Sequence, residues 1–392
     1  MDVDVIVEDQ GNPNWDGRCH TNFTFDDAQK HMYTRANLMF VVVGVPTVLT
    51  IGVLGNAGFL VVLYRVKHMR SITNFYLANL SIADLCLLVM SALQYFWTYS
   101  HSPLDVNFVF ASTFGCAVPN FLVYLCYFAS VWLVTLVATE RYMAICYPLQ
   151  HHIITGTRRS FRLVSIAWGV AFAMTCFAAP YGNPEIVCID WPDEGAYANM
   201  PVRVPVCRGT CDWCDKTLYA IDPIQFVFAF LINSCMYGRI VMILSKRSAL
   251  IDDENKNSSS LAAVTSARVQ ADNRDQVARM LIINTVVFFV CLMPYCITNL
   301  NSFVKEVNNT GFLTIEESNI LSWISKLTTL LNSAGNPYLY SATNKRYRKA
   351  FMQAFRCRGG GKDKGGRRAS SFAYTKGSII DTRGSTIGES RM

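Results

Sequence analysis

Seven stretches of this chain are apolar for about 20 residues or more, near positions 37–64, 73–97, 113–146, 161–181, 217–244, 276–303 and 318–341. At 1.5 Å per residue, such a stretch spans the ~30 Å hydrocarbon layer as a helix, and a helix satisfies its own amides where no water can. The pattern predicts an all-α membrane protein, a seven-transmembrane helix bundle. Composition agrees: 52% of the 392 residues are hydrophobic and 16% are charged, against roughly 25% charged in a soluble domain. The net charge of +7 is spread over short loops and a tail, which suits a membrane protein and implies no nucleic-acid partner.

Those basic residues orient the bundle. Arg65, Lys67 and Arg70 follow the first run, Arg158, Arg159 and Arg162 precede the fourth, Lys246 and Arg247 follow the fifth, and Lys345, Arg346, Arg348 and Lys349 follow the seventh. By the positive-inside rule these segments are cytoplasmic and the amino terminus is outside. The opposite segments are acidic, with seven acids against three bases in 1–36 and six against three in 182–216. The start lacks a basic-then-apolar signal, so the first long run is expected to direct insertion. Glycosylation acceptors at Asn22 and Asn308 fall outside, although the same pattern recurs at Asn79 and Asn257, where it is unusable. The expected layout is an extracellular segment 1–36, a bundle 37–341, an amphipathic juxtamembrane helix 344–357 and a disordered cytoplasmic tail 358–392. The polar stretch 246–275 reads as a mobile loop. Tyr347, Phe351 and Phe355 share one face of the juxtamembrane helix. Cys357 beyond it is a palmitoylation candidate or a free thiol, and Arg367-Arg368-Ala369-Ser370 presents Ser370 and Ser371 to a basophilic kinase.

Ionisable groups are costly in a bilayer, so each is a candidate for function. Asp84 is the only acid of the second run. With Asn56, Ser130, Asn332, Ser333 and Asn336 it forms either an oxygen-rich Na⁺ pocket or a hydrogen-bonded network without an ion. Arg141, inside Glu140-Arg141-Tyr142, lies 25 residues after Cys116, about 37 Å of helix. The two therefore sit at opposite faces, and Arg141 is a cytoplasmic switch candidate that Glu140 can pair with at rest. Six cysteines (19, 116, 188, 207, 211 and 214) fall in the oxidising compartment, an even number that allows three bridges. The 207–214 run also has zinc-like spacing, but its outside location favours disulfides.

Gly55-Asn56, the Asn79-to-Asp84 run, Cys116, Glu140-Arg141-Tyr142, Trp168, Pro294 and Asn336-Pro337-Tyr338-Leu339-Tyr340 occur in order at helix-compatible spacing. As a set they resemble the rhodopsin-like G-protein-coupled receptors over about residues 37–357. Within that family the chain resembles peptide receptors, those of the thyrotropin-releasing-hormone, neuromedin and ghrelin type. The resemblance implies a plasma-membrane receptor for a small extracellular peptide, amidated or unmodified, acting through a heterotrimeric G protein, with Gq suggested by the group. It implies peptide contacts at Tyr124, Tyr295 and Lys326, and a cavity lined also by Phe128, Asn299, Gln94 and Trp323. Lys326, if unpaired, should be answered by a ligand carbonyl or a nearby acid. Tyr237 and Tyr340 would join Arg141 in the switch, and Leu149 with the basic inner loops would meet the G protein. Cys116 is expected to bridge the second outer loop, at Cys207 first and Cys188 second. Receptor kinases and arrestin would read the tail. No enzymatic activity and no cofactor beyond an allosteric Na⁺ are implied.

Some positions depart from the family. Val123 stands where amine receptors carry an aspartate, which argues against a simple biogenic amine. Leu292 replaces the helix-six tryptophan, Ala229 replaces the helix-five proline, and Arg274 stands where an acid often locks the helix-three arginine. Higher basal activity is the expectation, alongside the alternative of a constitutively active or orphan receptor with a non-peptide ligand. A transporter is a distant alternative, lacking the internal repeats such folds show. A retinal lysine would fall near Thr329, a turn from Lys326, so light sensing is not supported.

Overall fold

The computed structural model of the protein describes residues 21–22, 24–25, 28, 32–105, 112–178, 181–192, 195–197, 200–209, 212–257 and 261–356. Seven long helices dominate: α1 (Arg35–Arg65), α2 (Ile72–His101), α3 (Thr113–Cys146), α4 (Thr157–Ala178), α5 (Asp212–Asn257), α6 (Leu261–Asn308) and α7 (Ile315–Thr343). Among the described residues, the first six are long and apolar enough to cross a membrane. Helix α7, 29 residues long, is more polar, because the side chains discussed below face the bundle. Polar caps fix the starts. Ser71 and Ser112 accept from the backbone at Asn74 and Gly115 at 3.3 and 3.0 Å, and Thr314 and Glu317 form a reciprocal capping box at the outer end of α7.

Small residues set the closest helix approaches, as they do where lipid supplies no hydrophobic drive. A Cβ on Gly52 would stand 2.4 Å from Leu88 Cδ1 and 3.0 Å from Ala334 Cβ, and one on Gly55 would stand 2.7 Å from the Tyr338 ring. Inside, Leu80 and Leu87 of α2, Phe128 and Leu133 of α3, Phe288 and Leu292 of α6 and Tyr340 of α7 are buried in one core. Leu54, Phe172 and Val286 remain outward on the lipid-facing surface.

A small sheet covers the outer end. Strands β2 (Tyr181–Asp190) and β3 (Arg203–Gly209) pair antiparallel, and β1 (Thr21–Asn22) adds to β2 in parallel. Beneath it Leu104, Val187, Ile189, Tyr197 and Val204 form a second buried cluster. Met32 also bridges to Leu104, so the amino-terminal segment is joined to both the first and second outer loops.

Two boundaries differ from the sequence expectation. The fourth run was expected to reach 181, but α4 ends at Ala178 and Tyr181 already begins β2; Pro180 and Gly182 in the sequence oppose a continuing helix. The stretch 246–275, expected as a mobile loop, is helical to Asn257 and again from Leu261. A spanning helix supplies the nucleus, and Lys, Glu, Ala and Gln then extend it at little cost. At the inner face a short helix, Pro148–Ile154, follows α3, and α8 (Lys345–Phe355) follows α7. Helix α8 buries Tyr347, Ala350 and Ala354 and is pinned by Arg65, which donates to the Ala354 carbonyl at 2.9 Å.

Candidate functional site

Cys116, at the outer end of α3, is bonded to Cys207 in β3 with a Cα–Cα distance of 5.6 Å. Cys188 is engaged in a disulfide of its own; Cys19, Cys211 and Cys214 lie outside the described side chains. The bridge ties the sheet to the bundle above two groups of side chains. In the first, Tyr124 stacks on Phe128 at 6.2 Å, and the Tyr127 and Tyr295 rings meet edge to face at 5.2 Å. Asn299 donates to Asp222 Oδ2 at 2.9 Å and to Tyr295, which also meets the Tyr124 hydroxyl. Phe128 is fully buried behind Tyr124 and Tyr127, and so lies a layer below any cavity.

The second group lies toward α1, α2 and α7. Trp323 packs edge-on to Phe40 at 5.3 Å, and Lys326 Nζ sits 4.0 Å from the Trp323 ring centre and 6.0 Å from that of Tyr95. The partner expected for Lys326 was a carbonyl or an acid; the structure supplies aromatic faces, whose negative quadrupole attracts the ammonium, with Asp105 as the acid whose field reaches it. Gln94 bridges α2 and α3 through Asn120 Oδ1 at 3.2 Å. Asp222 was missed in the sequence. It is an acid inside the fifth run, and the rule that flagged Asp84 applies to it equally.

Midway through the bundle Asp84 is fully buried and accepts from Asn336 at 2.8 Å, while Ser130 and Ser333 hydroxyls face the same carboxylate. Its Oδ1 and the Asn56 Oδ1 have no hydrogen-bond partner among the described residues. Asn56 donates to the Gly52 and Ser333 carbonyls at 3.0 Å each. Asn332 is buried nearby on α7 but makes no hydrogen bond to Asp84. The proline-free stretch of α5 is used as well: Asn233 donates to the Ala229 carbonyl at 2.8 Å and to Thr135 of α3 at 2.9 Å. Leu292, in place of the tryptophan, is buried in the core beside Phe288.

At the inner end the expected Glu140–Arg141 pair is absent. Glu140 Oε1 meets His151 Nε2 of the short helix at 2.7 Å, and Oε2 lies 3.8 Å from Arg159. Arg141 instead donates to the Thr73 hydroxyl of α2. Adjacent residues of a helix point about 100° apart and do not face each other, so the two charges find different partners. Tyr142 packs edge to face on Tyr147 at 5.7 Å, and the Tyr237 hydroxyl accepts from Thr285 at 3.3 Å. Tyr340 is wholly buried between Phe59 and Tyr347, its hydroxyl without a partner among the described residues. Tyr347 donates to Asn74, and burial pushes its hydroxyl up to about 12, so it stays protonated at any physiological pH. Leu149 and Ile153 are exposed on the short helix at 82% and 80%. Asn22 lies in β1 and Asn308 is the exposed last residue of α6. The Arg274 side chain, Cys357, Ser370 and Ser371 lie outside the described residues.

The family described as 7 transmembrane receptor (rhodopsin family) matches residues 55–340. The chain belongs to that family. The receptor is 28% identical to galanin receptor type 2 of Rattus norvegicus over 307 residues, covering 77% of this chain and 72% of that one. It is 25% identical over 330 residues to the thyrotropin-releasing hormone receptor of Gallus gallus, covering 78% and 76%. Against neuromedin-U receptor 2 of Homo sapiens the identity is 27% over 329 residues, covering 83% and 72%. The receptor is thus a multi-pass membrane protein of a signalling family rather than of an enzyme family.

Proposed function

We propose that the receptor stands in the plasma membrane with its amino terminus outside, binds a short peptide, and passes the event to a heterotrimeric G protein, for which Gq is the first candidate. The names of its relatives support a peptide, since galanin, thyrotropin-releasing hormone and neuromedin U are the ligands those names carry. The observation that carries the proposal is the polar and aromatic group Tyr124, Tyr295 and Asn299 beneath a disulfide-tethered sheet, with Arg141 bonded across helices at the opposite face. A peptide bridging α3, α6 and α7 at Tyr124, Tyr295, Asn299 and Lys326 favours one arrangement of α6. By linkage, the G protein docked at Arg141 and Leu149 must then raise peptide affinity in return. Val123, apolar where an amine receptor has its counter-ion, directs selection toward larger ligands.

Asp84 Oδ1 and Asn56 Oδ1, both buried without hydrogen-bond partners, fit a Na⁺ ion that Ser130, Ser333 and Asn336 would help hold, oxygen ligands being what a hard cation takes. The ion would supply charge balance to Asp84 in the resting arrangement. Ser370 and Ser371, once phosphorylated by receptor kinases, would recruit arrestin, with Cys357 as a lipid anchor and Asn22 and Asn308 as glycan sites. The test is a calcium and cyclic-nucleotide screen of cells displaying the receptor against an amidated-peptide library. A peptide response lost on Tyr295→Ala or Lys326→Met supports the proposal; silence toward every peptide at normal surface display overturns it in favour of an orphan, constitutive receptor.

A further inference from the structure

Asp222 lies near the outer end of α5, only 2% exposed. Its neighbours are neutral. Asn299 donates to Oδ2 at 2.9 Å, the Tyr127 hydroxyl lies beside the carboxylate, and Tyr295 and Cys296 complete the surround. Oδ1 has no hydrogen-bond partner among the described residues. No lysine, arginine or histidine among those residues lies within ion-pair distance of Asp222, whereas Glu140 at the inner face has two such partners. A buried carboxylate flanked only by neutral donors is costly, and the cost is recovered when a cation reaches it. Two of the neighbours, Tyr295 and Asn299, are residues placed above in the peptide pocket, and Tyr295 in turn meets Tyr124 there. The counter-charge that amine receptors carry on α3, at the position of Val123, therefore has an equivalent on α5.

We infer that Asp222 is the anionic anchor of the ligand pocket and pairs, through Oδ1, with a cationic group of the peptide, a guanidinium or ammonium. This rests on the peptide-receptor proposal and narrows it: the ligand carries a positive group for α5, while Lys326 on α7 offers a positive charge to its carbonyls. The pocket is thus sorted by charge, negative on one side and positive on the other, and it admits one orientation of a basic, amidated peptide. Asn299 is a positioning residue here, holding Oδ2, and Tyr127 lies beside the same carboxylate, while the buried Oδ1 has no hydrogen-bond partner among the described residues.

The test uses the full chain purified in lipid nanodiscs, with N-acetyl-arginine amide as the probe and the neutral isostere N-acetyl-citrulline amide as its control; citrulline amide, whose only charge is an ammonium, distinguishes an amino terminus from a guanidinium. The melting temperature should rise saturably with one of the two cationic probes and not with the neutral one. In Asp222→Asn the concentration needed should increase at least about tenfold, the scale of one lost charge-assisted hydrogen bond. Asp222→Asn is isosteric and keeps an acceptor for Asn299, and Asp222→Ala repeats the test without either oxygen. The melting temperature of Asp222→Asn, without probe, should not fall below that of the parent, since the buried charge is gone and Asn299 keeps its acceptor. Equal action of the cationic probe on parent and variants, or none on the parent, overturns the inference. The two proposals fail separately. Activation by neutral peptides with potency unchanged in Asp222→Asn removes the anchor and keeps the peptide receptor, whereas a cation effect through Asp222 with silence to all peptides does the reverse.

Discussion

Substituting Gly52 by alanine adds one methyl group where α1 meets α2 and α7, and the structure gives the size of the collision. The new Cβ would lie 2.4 Å from Leu88 Cδ1, 3.0 Å from Ala334 Cβ and 3.2 Å from Ala334 Cα. Leu88 can rotate its terminal methyl aside, but the α7 backbone at Ala334 cannot, so α1 must move away by several tenths of an ångström. Forcing a methyl group into close packing costs about 1–3 kcal/mol, and between membrane helices that packing is the main source of association. A loss of several degrees in melting temperature of the purified receptor is expected, with reduced surface display. Gly169→Ala and Gly238→Ala serve as controls, because a Cβ at either meets nothing within 4 Å. Gly52→Ala/Ala334→Gly should regain part of the loss, because the Cβ contact at 3.0 Å disappears. A Gly52→Ala receptor melting within a degree of the parent, alongside unchanged controls, would refute the account of the α1–α7 contact.

Thr73→Val removes the hydroxyl that receives Arg141; losing a hydrogen bond to a charged group, about 1.5–3 kcal/mol, should raise agonist-free signalling severalfold in a reporter assay, and an unchanged baseline would count against Arg141 being held by α2. Asn233→Ala breaks the α5–α3 link to Thr135 and should cost about 0.6 kcal/mol, read as a small drop in melting temperature that Thr135→Val does not deepen. The backbone and hydroxyl of Thr314 hold Glu317 below the usual carboxylate range. A depressed acid contributes its stability above its unfolded value and loses it as pH falls through the folded one. Helix α7 should therefore fray at its outer end in acid, seen as lower amide protection, relative to the intrinsic rate at each pH, at residues 315–318, while Glu317→Gln shows the same protection at neutral and acid pH. Lys326→Met should abolish peptide potency but preserve the fold, since Trp323 and Tyr95 can pack a thioether as they pack the ammonium.

The bundle was legible because membrane thickness imposes one length on every span, so α1, α2 and α3 could be placed from apolar content alone. The inner extensions of α5 and α6 were not, because once a helix leaves the bilayer its polar residues carry no periodic apolar face to mark it. Cys116–Cys207 came from family resemblance, since pairing among six cysteines is undetermined by sequence. At the candidate site, Tyr295, Asn299 and Lys326 were named by the same resemblance, but the side chains they meet were not. Sequence spacing suggested Glu140 for Arg141, whereas helical geometry turns neighbours apart and selects Thr73 and His151, residues distant along the chain. Asp222 was not legible because it stands near the start of its apolar run, 217–244, where an acid also suits the polar edge of a span.

The pairing of Thr21 and Asn22 with Ile189 and Asp190, and of Met32 with Leu104, has a practical consequence. The leading segment is stitched at two points to the roof above the proposed ligand pocket, so it acts as a strap rather than a free leash. Fusing a bulky reporter just upstream of Thr21, or clipping the chain between Asn22 and Met32, would loosen that roof while leaving every helix in place. Altered ligand entry and exit, with an unaltered signal once bound, is the signature such a cut should leave.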